Sequence, residues 1–296
     1  MALGINTGLS MLNASNGITE SQRALSDAIK RLASGKRINS GADDPAGLVI
    51  TEKMNSRLIG LGAAIQGNEN TINMVRTTEA AAGKVSDLLG EARGLIVDAA
   101  NTGAADADSR AANQGRLNEI IDSIASLADS AQFGAKKVLD GTLTLTPMTS
   151  ADGKTSTVNV QGLDTENLGT QATYTAQDGS RQDVDQFKNL GDLKTALTGG
   201  DQNAAAQALG VVDKAIGQVA DLRGKLGALE TDSIGPMIEN FKSAYNELQS
   251  GVSSISDSDF AKEISRVTKE NIQSQVKVAL MAQGKDNAQT LLQLLM

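Results

Sequence analysis

Four short charged clusters are the places where this sequence could do chemistry. Asp43-Asp44 sets two carboxylates in a glycine-rich stretch, as a metal site would use them. Asp106-Ala107-Asp108 and Asp257-Ser258-Asp259 each look like the opening of a calcium loop, and Lys36-Arg37 is a basic pair that could meet a phosphate. Each also has a plainer reading. Asp43 and Asp44 stand just before Pro45 and a helical pattern, where carboxylates cap a helix N-terminus. Neither calcium-like fragment continues into the Gly and distal Glu that such a loop needs. A loop Lys-Arg pair is accounted for by solvation or an ion pair. The chain has no Cys and no His, so thiolate chemistry, disulfides and a Ser-His-Asp triad are ruled out. There is no Walker A sequence and no strand-linked GxGxxG. Carboxylate, Lys or Ser catalysis remains open in principle, but no constellation gathers such groups. The reading is a protein without catalytic residues, cofactor or metal.

The elements that carry these clusters are helical. The 296 residues are 40% hydrophobic, with no Trp, four Phe, two Tyr and three Pro. Burial must therefore come from aliphatic side chains and Ala, which suits helices packed along their length. A net charge of -8 argues against nucleic acid as a partner, because phosphate binding needs a basic patch. The first residues lack the basic and apolar regions of a Sec-type signal, and no apolar run is long enough to span a membrane. On these grounds alone the default is a cytosolic protein.

Helical periodicity dominates both ends. Met11, Ile18, Leu25 and Leu32 recur every seven residues, with Ile29 on the same stripe. Loop and cap residues follow: Gly35, Gly41, Asp43, Asp44, Pro45 and Gly47. A long pattern then runs over 45–100, with Met54, Leu58, Leu61, Ile65, Ile72, Val75, Ala82, Leu89 and Ile96 on one heptad frame. At 1.5 Å per residue such a helix would be about 80 Å long. Asn68, Glu79, Ser86 and Arg93 interrupt the seam, and Gly60, Gly62 and Gly67 each cost roughly 1 kcal/mol relative to Ala in a helix. A shorter helix is expected over 109–131. From 133 to 200 the helical period fades. Asp140-Gly141, Asp152-Gly153 and Asp178-Gly179 signal turns between short alternating runs at 142–146, 157–160 and 173–175. Helix returns with a seam at Val212, Ala215, Val219, Leu222, Leu226 and Leu229. After a slip near Gly235-Pro236 a second seam runs from Ile234 to Ile255 in unbroken steps of four and three. A last helix over 260–294, capped by Asp257 or Ser258, carries Ile264, Val267, Ile272, Val276 and Leu280. Leu291, Leu292, Leu294 and Leu295 close the chain.

The predicted fold is mainly α. The N- and C-terminal halves form a long antiparallel helical bundle or coiled-coil rod, with a small β-hairpin-rich insert between them. Three parts are expected: a terminal helical domain of 1–44 plus 256–296, a helical rod domain of 45–141 plus 201–255, and a short β-rich surface insert at 142–200. Apolar stripes reaching both termini run against the usual polar fraying of chain ends, and they suggest burial against other copies.

The run from Leu32 to Leu48, LASGKRINSGADDPAGL, resembles the N-terminal signature of bacterial flagellins, and residues 13–20 are similar to the same family. Residues 255–263, ISDSDFAKE, resemble its C-terminal signature, as does the leucine-rich finish. Gln132-Phe133 and Lys137-Val138-Leu139 match a segment that follows the third helix in that family. The likeness covers about 1–142 and 205–296 and leaves a short central variable region, so the chain resembles a compact flagellin. It implies a secreted structural subunit of the extracellular flagellar filament, exported by a type III apparatus and serving motility. The termini would form the filament's inner core. Implied partners are other flagellin copies, the hook-associated junction and cap proteins, and an export chaperone at the C-terminal region. Met11, Ile18, Leu25, Ile29 and Leu32 would pack that core from one end of the chain. Ile264, Val267, Ile272, Val276, Leu280 and the final leucines would pack it from the other. Arg37, Ile38, Asn39, Asp43 and Asp44 would form the signature loop and its inter-subunit contacts.

The resemblance also implies that the stretch by which a Toll-like innate receptor recognises members of that family corresponds here to Gly90-Glu91-Ala92-Arg93-Gly94-Leu95. Arg93 and Leu95 match the family's pattern. Gly90 and Glu91 stand where it has an amide and a cation, which implies weak recognition. The rival functions are a hook-filament junction or other minor axial protein, and a signalling coiled coil of the chemotaxis-receptor kind. The internal Asp-Asp-Pro-Ala-Gly-Leu match disfavours the former. The absence of a sensor or membrane segment disfavours the latter.

Overall fold

The structure is a computed structural model that describes residues 2–101, 106–175, 180–199 and 201–295, with side chains for 12–286, 289 and 290 among them. Within these residues the chain is mainly α, with a few small antiparallel strand pairs in its middle. The helices are α1 (Ala2–Ser34), α2 (Pro45–Ala100), α3 (Ala107–Ser130), α4 (Gln202–Ala228), α5 (Gly235–Ser256) and α6 (Phe260–Leu295). The strands are β1 (Gln132–Phe133), β2 (Lys136–Lys137), β3 (Thr144–Leu145), β4 (Val158–Asn159), β5 (Thr173–Thr175) and β6 (Arg181–Asp183). They pair β1 with β2, β3 with β4, and β5 with β6, all antiparallel. The expected runs at 142–146 and 157–160 shorten to two-residue strands. The partner of 173–175 is β6, and the expected turn at Asp178-Gly179 falls outside the described residues, as does Gly200.

The chain folds as two compact units. One comprises 1–59 and 245–296, the other 60–244, so α2 and α5 contribute residues to both. The main hydrophobic core lies in the second unit. There the α2 positions Val75, Ala82, Leu89 and Ile96 pack with Leu117, Ile121 and Ile124 of α3 and Val212, Ala215 and Val219 of α4. The helices form because their apolar residues recur on one face. Their ends are set by polar caps: Asp106 accepts from the Ser109 N–H at 2.7 Å, which starts α3, and Asp201 accepts from the Asn203 N–H, which starts α4. The segment 142–200 shares this core. Leu145, Leu163, Leu190 and Leu193 are fully buried in it, so these residues fill the interior as well as decorating its surface. A short 3₁₀ turn, Leu190–Thr195, supplies two of them. Gln114, buried on α3, holds that turn by accepting from the Leu197 N–H at 2.6 Å and donating to the Leu193 carbonyl at 3.1 Å.

The interruptions in the α2 seam are docking points. Asn68 is fully buried. Its Oδ1 accepts from the Met148 N–H at 2.7 Å and its Nδ2 donates to the Met148 carbonyl at 3.0 Å. Gly60 and Gly67 make room for the same loop, because a Cβ at Gly60 would run into the Ala151 carbonyl and one at Gly67 would touch the Met148 sulfur. Arg93 pairs with Asp213 of α4 at 2.7 Å, and Glu79 faces Arg223 at 3.9 Å.

The seam slip between α4 and α5 is a single π-helical turn, Leu229–Ile234. It absorbs the five-residue step from Leu229 to Ile234, so both fall on the buried side. The Gly235 N–H reaches back to the Glu230 carbonyl. A Cβ on Gly235 would lie 3.0 Å from that carbonyl, so the glycine keeps the widened turn free of a clash. Arg76 of α2 holds the turn through Glu230, Nε to Oε1 at 2.8 Å.

Asn68→Ala should strand the Met148 amide and carbonyl in the interior. The expected cost is about 1–3 kcal/mol, read as a lower urea midpoint together with faster proteolysis near residues 148–156. Unchanged unfolding would show that the loop is held by other contacts.

Candidate assembly interface

In the first unit, α1 and α6 lie against each other as an antiparallel pair. The covered positions of α6 step by four and three: Glu263, Val267, Glu270, Ser274, Lys277 and Met281. They meet an α1 face that is mostly small, with Ala14, Gly17, Ser21, Ala24 and Ala28, edged by Ile18, Leu25 and Leu32. Of the α6 residues singled out in the sequence, only Val267 is half-buried on this seam. Ile264, Ile272, Val276 and Leu280 face away from it, and together with Phe260 and Val278 they are 44–60% exposed. On α1, Ile18, Leu25 and Leu32 are half-buried, while Ile29 is 50% exposed and Leu12 is exposed too. Met11, Leu291, Leu292, Leu294 and Leu295 lie outside the described side chains. The small α1 face accepts the mostly polar side of α6, and α6 turns most of its aliphatic side chains outward. Single exposed aliphatics are ordinary on a soluble surface, but this many along one helix are not.

The two signature segments clasp each other across the chain. The Arg37 N–H donates to the Ser256 carbonyl at 2.6 Å, and the Ser258 N–H donates to the Gly35 carbonyl at 2.9 Å. Lys36 and Asp257 form an isolated antiparallel bridge between them. The Arg37 guanidinium adds two bonds to the Ile255 carbonyl, from Nη2 at 2.5 Å and Nε at 3.2 Å. That carbonyl lies in the last turn of α5, the negative end of the helix, where a cation is favoured. Of the basic pair, Arg37 is thus engaged within the chain through its side chain and Lys36 through its backbone. Asp259, rather than Asp257 or Ser258, caps α6: its Oδ1 accepts from the N–H groups of Ala261 and Lys262 at 3.0 and 3.1 Å. Asp257 instead accepts from the Ser253 hydroxyl.

Asp43 and Asp44 do different work. Asp43 Oδ2 accepts from the Ser40 N–H and hydroxyl at 2.9 Å each and from the Asn39 N–H at 3.2 Å. Its Oδ1 lies 3.6 Å from Arg31 Nη2. The Ser40 hydroxyl, then the two N–H groups, hold its carboxyl below the usual range. Asp44 caps α2 by accepting from the Gly47 N–H at 2.9 Å. Gly47 sits so close that a Cβ would meet Asp44 and the buried Ile38 side chain. This is the physical reason for glycine in the Asp-Asp-Pro-Ala-Gly run. Asn39 is exposed and donates its Nδ2 to the Lys36 carbonyl. Among the described residues no group of three or more acidic side chains could hold a metal ion, and no helix is long and apolar enough to cross a membrane.

In the second unit, Gly90, Glu91 and Arg93 are exposed on α2, whereas Leu95 is buried. Both charges have partners: Arg93 pairs with Asp213, and Glu91 accepts from Arg116 at 2.8 Å.

Sequence reasoning missed the polar residues of the α1–α6 seam, Ser21 on α1 and Glu263, Glu270, Ser274 and Lys277 on α6. Their four-three spacing was visible, but a search for apolar positions passes over it.

Paired terminal helices with outward aliphatic side chains, joined by a clasp of main-chain bonds, define a helical structural protein. Residues 5–144 match the family model described as the bacterial flagellin N-terminal helical region, and 209–295 match that of the bacterial flagellin C-terminal helical region. The chain belongs to the bacterial flagellin family, whose members are structural subunits of the flagellar filament. It is 33% identical to a flagellin of Bacillus subtilis, with 98% of this chain and 99% of that one covered. It is 30% identical to a flagellin of Halalkalibacterium halodurans at the same coverage. In fold it is similar to a putative flagellar hook-associated protein from Vibrio parahaemolyticus, with a TM-score of 0.54, 17% identity, and 73% of this chain and 100% of that one covered.

Because the folded Asp43 carboxyl titrates below its unfolded value, its contribution to the loop is complete above the ordinary carboxylate range. It is lost as pH falls through the lowered pKa. An NMR titration of the Ser40 amide should show a midpoint below that of an ordinary Asp. A midpoint at or above the ordinary value would refute the account.

Proposed function

We propose that this chain self-assembles into the flagellar filament through its terminal helices, and so serves motility outside the cell. The observation that carries this reading is the inverted polarity of α6, with mostly polar residues (Glu263, Glu270, Ser274 and Lys277) on its covered side and Ile264, Ile272, Val276 and Leu280 on its open side. An aliphatic surface left open by its own subunit gains by meeting another copy. A head-to-tail contact that does not close on itself grows into an open helical polymer.

In this reading 1–44 and 256–296 pack the filament core. The segments 45–141 and 201–255 form the next helical tier, and 142–200 carries the more variable surface. The packing residues are Met11, Ile18, Leu25, Ile29 and Leu32 at one end and Ile264, Val267, Ile272, Val276, Leu280 and the closing leucines at the other. The exposed edge of the signature loop, with Asn39 and Asp43, meets neighbouring copies. Junction and cap proteins bind the ends of the polymer, and an export chaperone takes the C-terminal region before assembly.

The test is seeded growth followed by electron microscopy. Wild-type chain should elongate filament fragments. The double substitution Ile272→Ser with Val276→Ser alters exposed positions, so folded stability should move by no more than about 0.5 kcal/mol while elongation is lost. Normal filaments from that variant would refute the role given to the open face of α6. A wild-type chain that binds seeds without lengthening them would instead favour the junction-protein reading.

The stretch Gly90, Glu91, Arg93 and Leu95 should be recognised weakly by a Toll-like receptor, since Arg93 and Glu91 are already ion-paired and Leu95 is buried. A receptor reporter cell line should respond only at high dose. Full response at low dose would overturn this.

A further inference from the structure

The α1–α6 seam raises a question of register. Much of the α1 face repeats every seven residues, so a slide of α6 by that distance, about 10.5 Å, replaces Ile18 with Leu25, Ala14 with Ser21 and Gly17 with Ala24. Of the aliphatic residues of α6 only Val267 enters the seam, while Ile264, Ile272, Val276 and Leu280 are turned outward. Some other feature must select one setting.

We propose that Lys277 fixes the register of α6 on α1, as a positioning residue. Its Nζ donates across the pair to the Ser21 hydroxyl at 2.7 Å and to the Gly17 carbonyl at 3.0 Å. Ser21 is buried, so its hydroxyl has that ammonium in place of water. Gly17 and Ser21 are one helical turn apart, and the two acceptors flank a single point on α1. A slide by one heptad toward the C-terminal end of α1 would set the ammonium against Ala24 and Ala28, and the opposite slide against Ser10 and Ala14. Neither setting offers the same pair of acceptors, and a covered ammonium without partners is costly. A lone Lys or Asn in an otherwise permissive seam is a known way to specify register at some expense in stability.

The other charged positions on the seam do not lock it: Glu270 makes no hydrogen bond or ion pair to α1 among the described residues. Glu263 of α6 lies near the level of Arg31 of α1, yet Glu263 Oε1 and Arg31 Nε are buried without a hydrogen-bond partner. The open aliphatic face depends on the register as well. Sliding α6 by a heptad would shift Ile264, Ile272, Val276 and Leu280 along α1 and change what the paired surface presents. The inference itself rests on the pairing of α1 with α6 and does not require the assembly reading.

The chain has no Cys, so an introduced pair reports its own proximity without interference. In the full-length protein, Ala28→Cys can be combined in turn with Val267→Cys for the native setting, or with Phe260→Cys or Ser274→Cys for the two slipped settings. A disulfide forms only where Cα atoms come within about 7 Å. Oxidation by diamide is followed by quantifying cross-linked chain, in soluble and in sedimented material separately.

With Lys277 intact, the native pair should exceed either slipped pair by roughly tenfold. In Lys277→Met, which keeps the stem and removes the charge, a slipped pair should rise to within about threefold of the native one. Lys277→Arg should restore the native preference, and Ser21→Ala should weaken it partway. An unchanged preference in Lys277→Met would overturn the proposal. Loss of all three cross-links in Lys277→Met would overturn it too, since Lys277 would then hold the pair together rather than align it. If soluble and sedimented chain give the same pattern, the register is set whether or not filaments form. This keeps a failure of the assembly reading distinct from a failure of this one.

Discussion

The first unit depends on main-chain hydrogen bonds between residues 35–37 and 256–258. They join segments far apart in the chain, and Arg37 strengthens the join by donating to a carbonyl 218 positions away. Both segments are breaks between helices, where backbone groups are free to bond outside their own helix. If the breaks were not tied, α1 and α6 would leave their neighbours at independent angles and could not run side by side. The loop chemistry serves the same end. Asp43 gathers the N–H groups of Asn39 and Ser40, Asp44 starts α2, and Gly47 lets the turn close over Ile38. The residues that carry the family likeness are therefore those that build a junction, and their conspicuous charges need no ligand to explain them.

The second unit follows a related rule, with polar residues placed inside a helical seam to receive another segment. Asn68 receives the backbone of Met148, Gln114 receives the 3₁₀ turn, and Gln218 of α4 accepts from the Gly169 N–H at 2.7 Å. Each side chain replaces the bonds that an irregular segment would otherwise make to water, which lets 142–200 bury its leucines beside the helices. Helix-destabilising glycines on α2 serve the same segment. The local cost of Gly60 and Gly67 is offset by the contact that their missing side chains permit.

Much of this was legible in the residues. The period of Met54 to Ile96 and of Val212 to Ile255 marked the long helices, and the Gly-Ala-Asp-Asp-Pro run marked the break between α1 and α2. The turn dipeptides and the runs beside them located β3, β4 and β5, but β1, β2 and β6 were not read as strands. What could not be read were features in which one segment meets another distant in sequence. Asn68 looked like a flaw in a seam because its partner, Met148, is 80 residues away. The α1–α6 seam was hidden for a different reason. Apolar periodicity finds the face a helix most needs to bury, and on α6 that face is not the one turned toward α1. Lys277, Ser21 and Glu263 therefore fell between the positions that hydrophobic spacing selects. The 3₁₀ segment at Leu190–Thr195 left no periodic trace, being only six residues long.

The π turn at Leu229–Ile234 has a consequence for how related sequences can vary. It holds one residue more than an ordinary turn while keeping Leu226 and Ile234 on the same side. Removing one residue there would leave a plain α-helix whose seam still runs in steps of three and four. This is the place where a one-residue deletion in a related chain would leave both flanking seams undisturbed. A gap a few residues to either side would rotate everything beyond it by about 100° and turn the buried face outward.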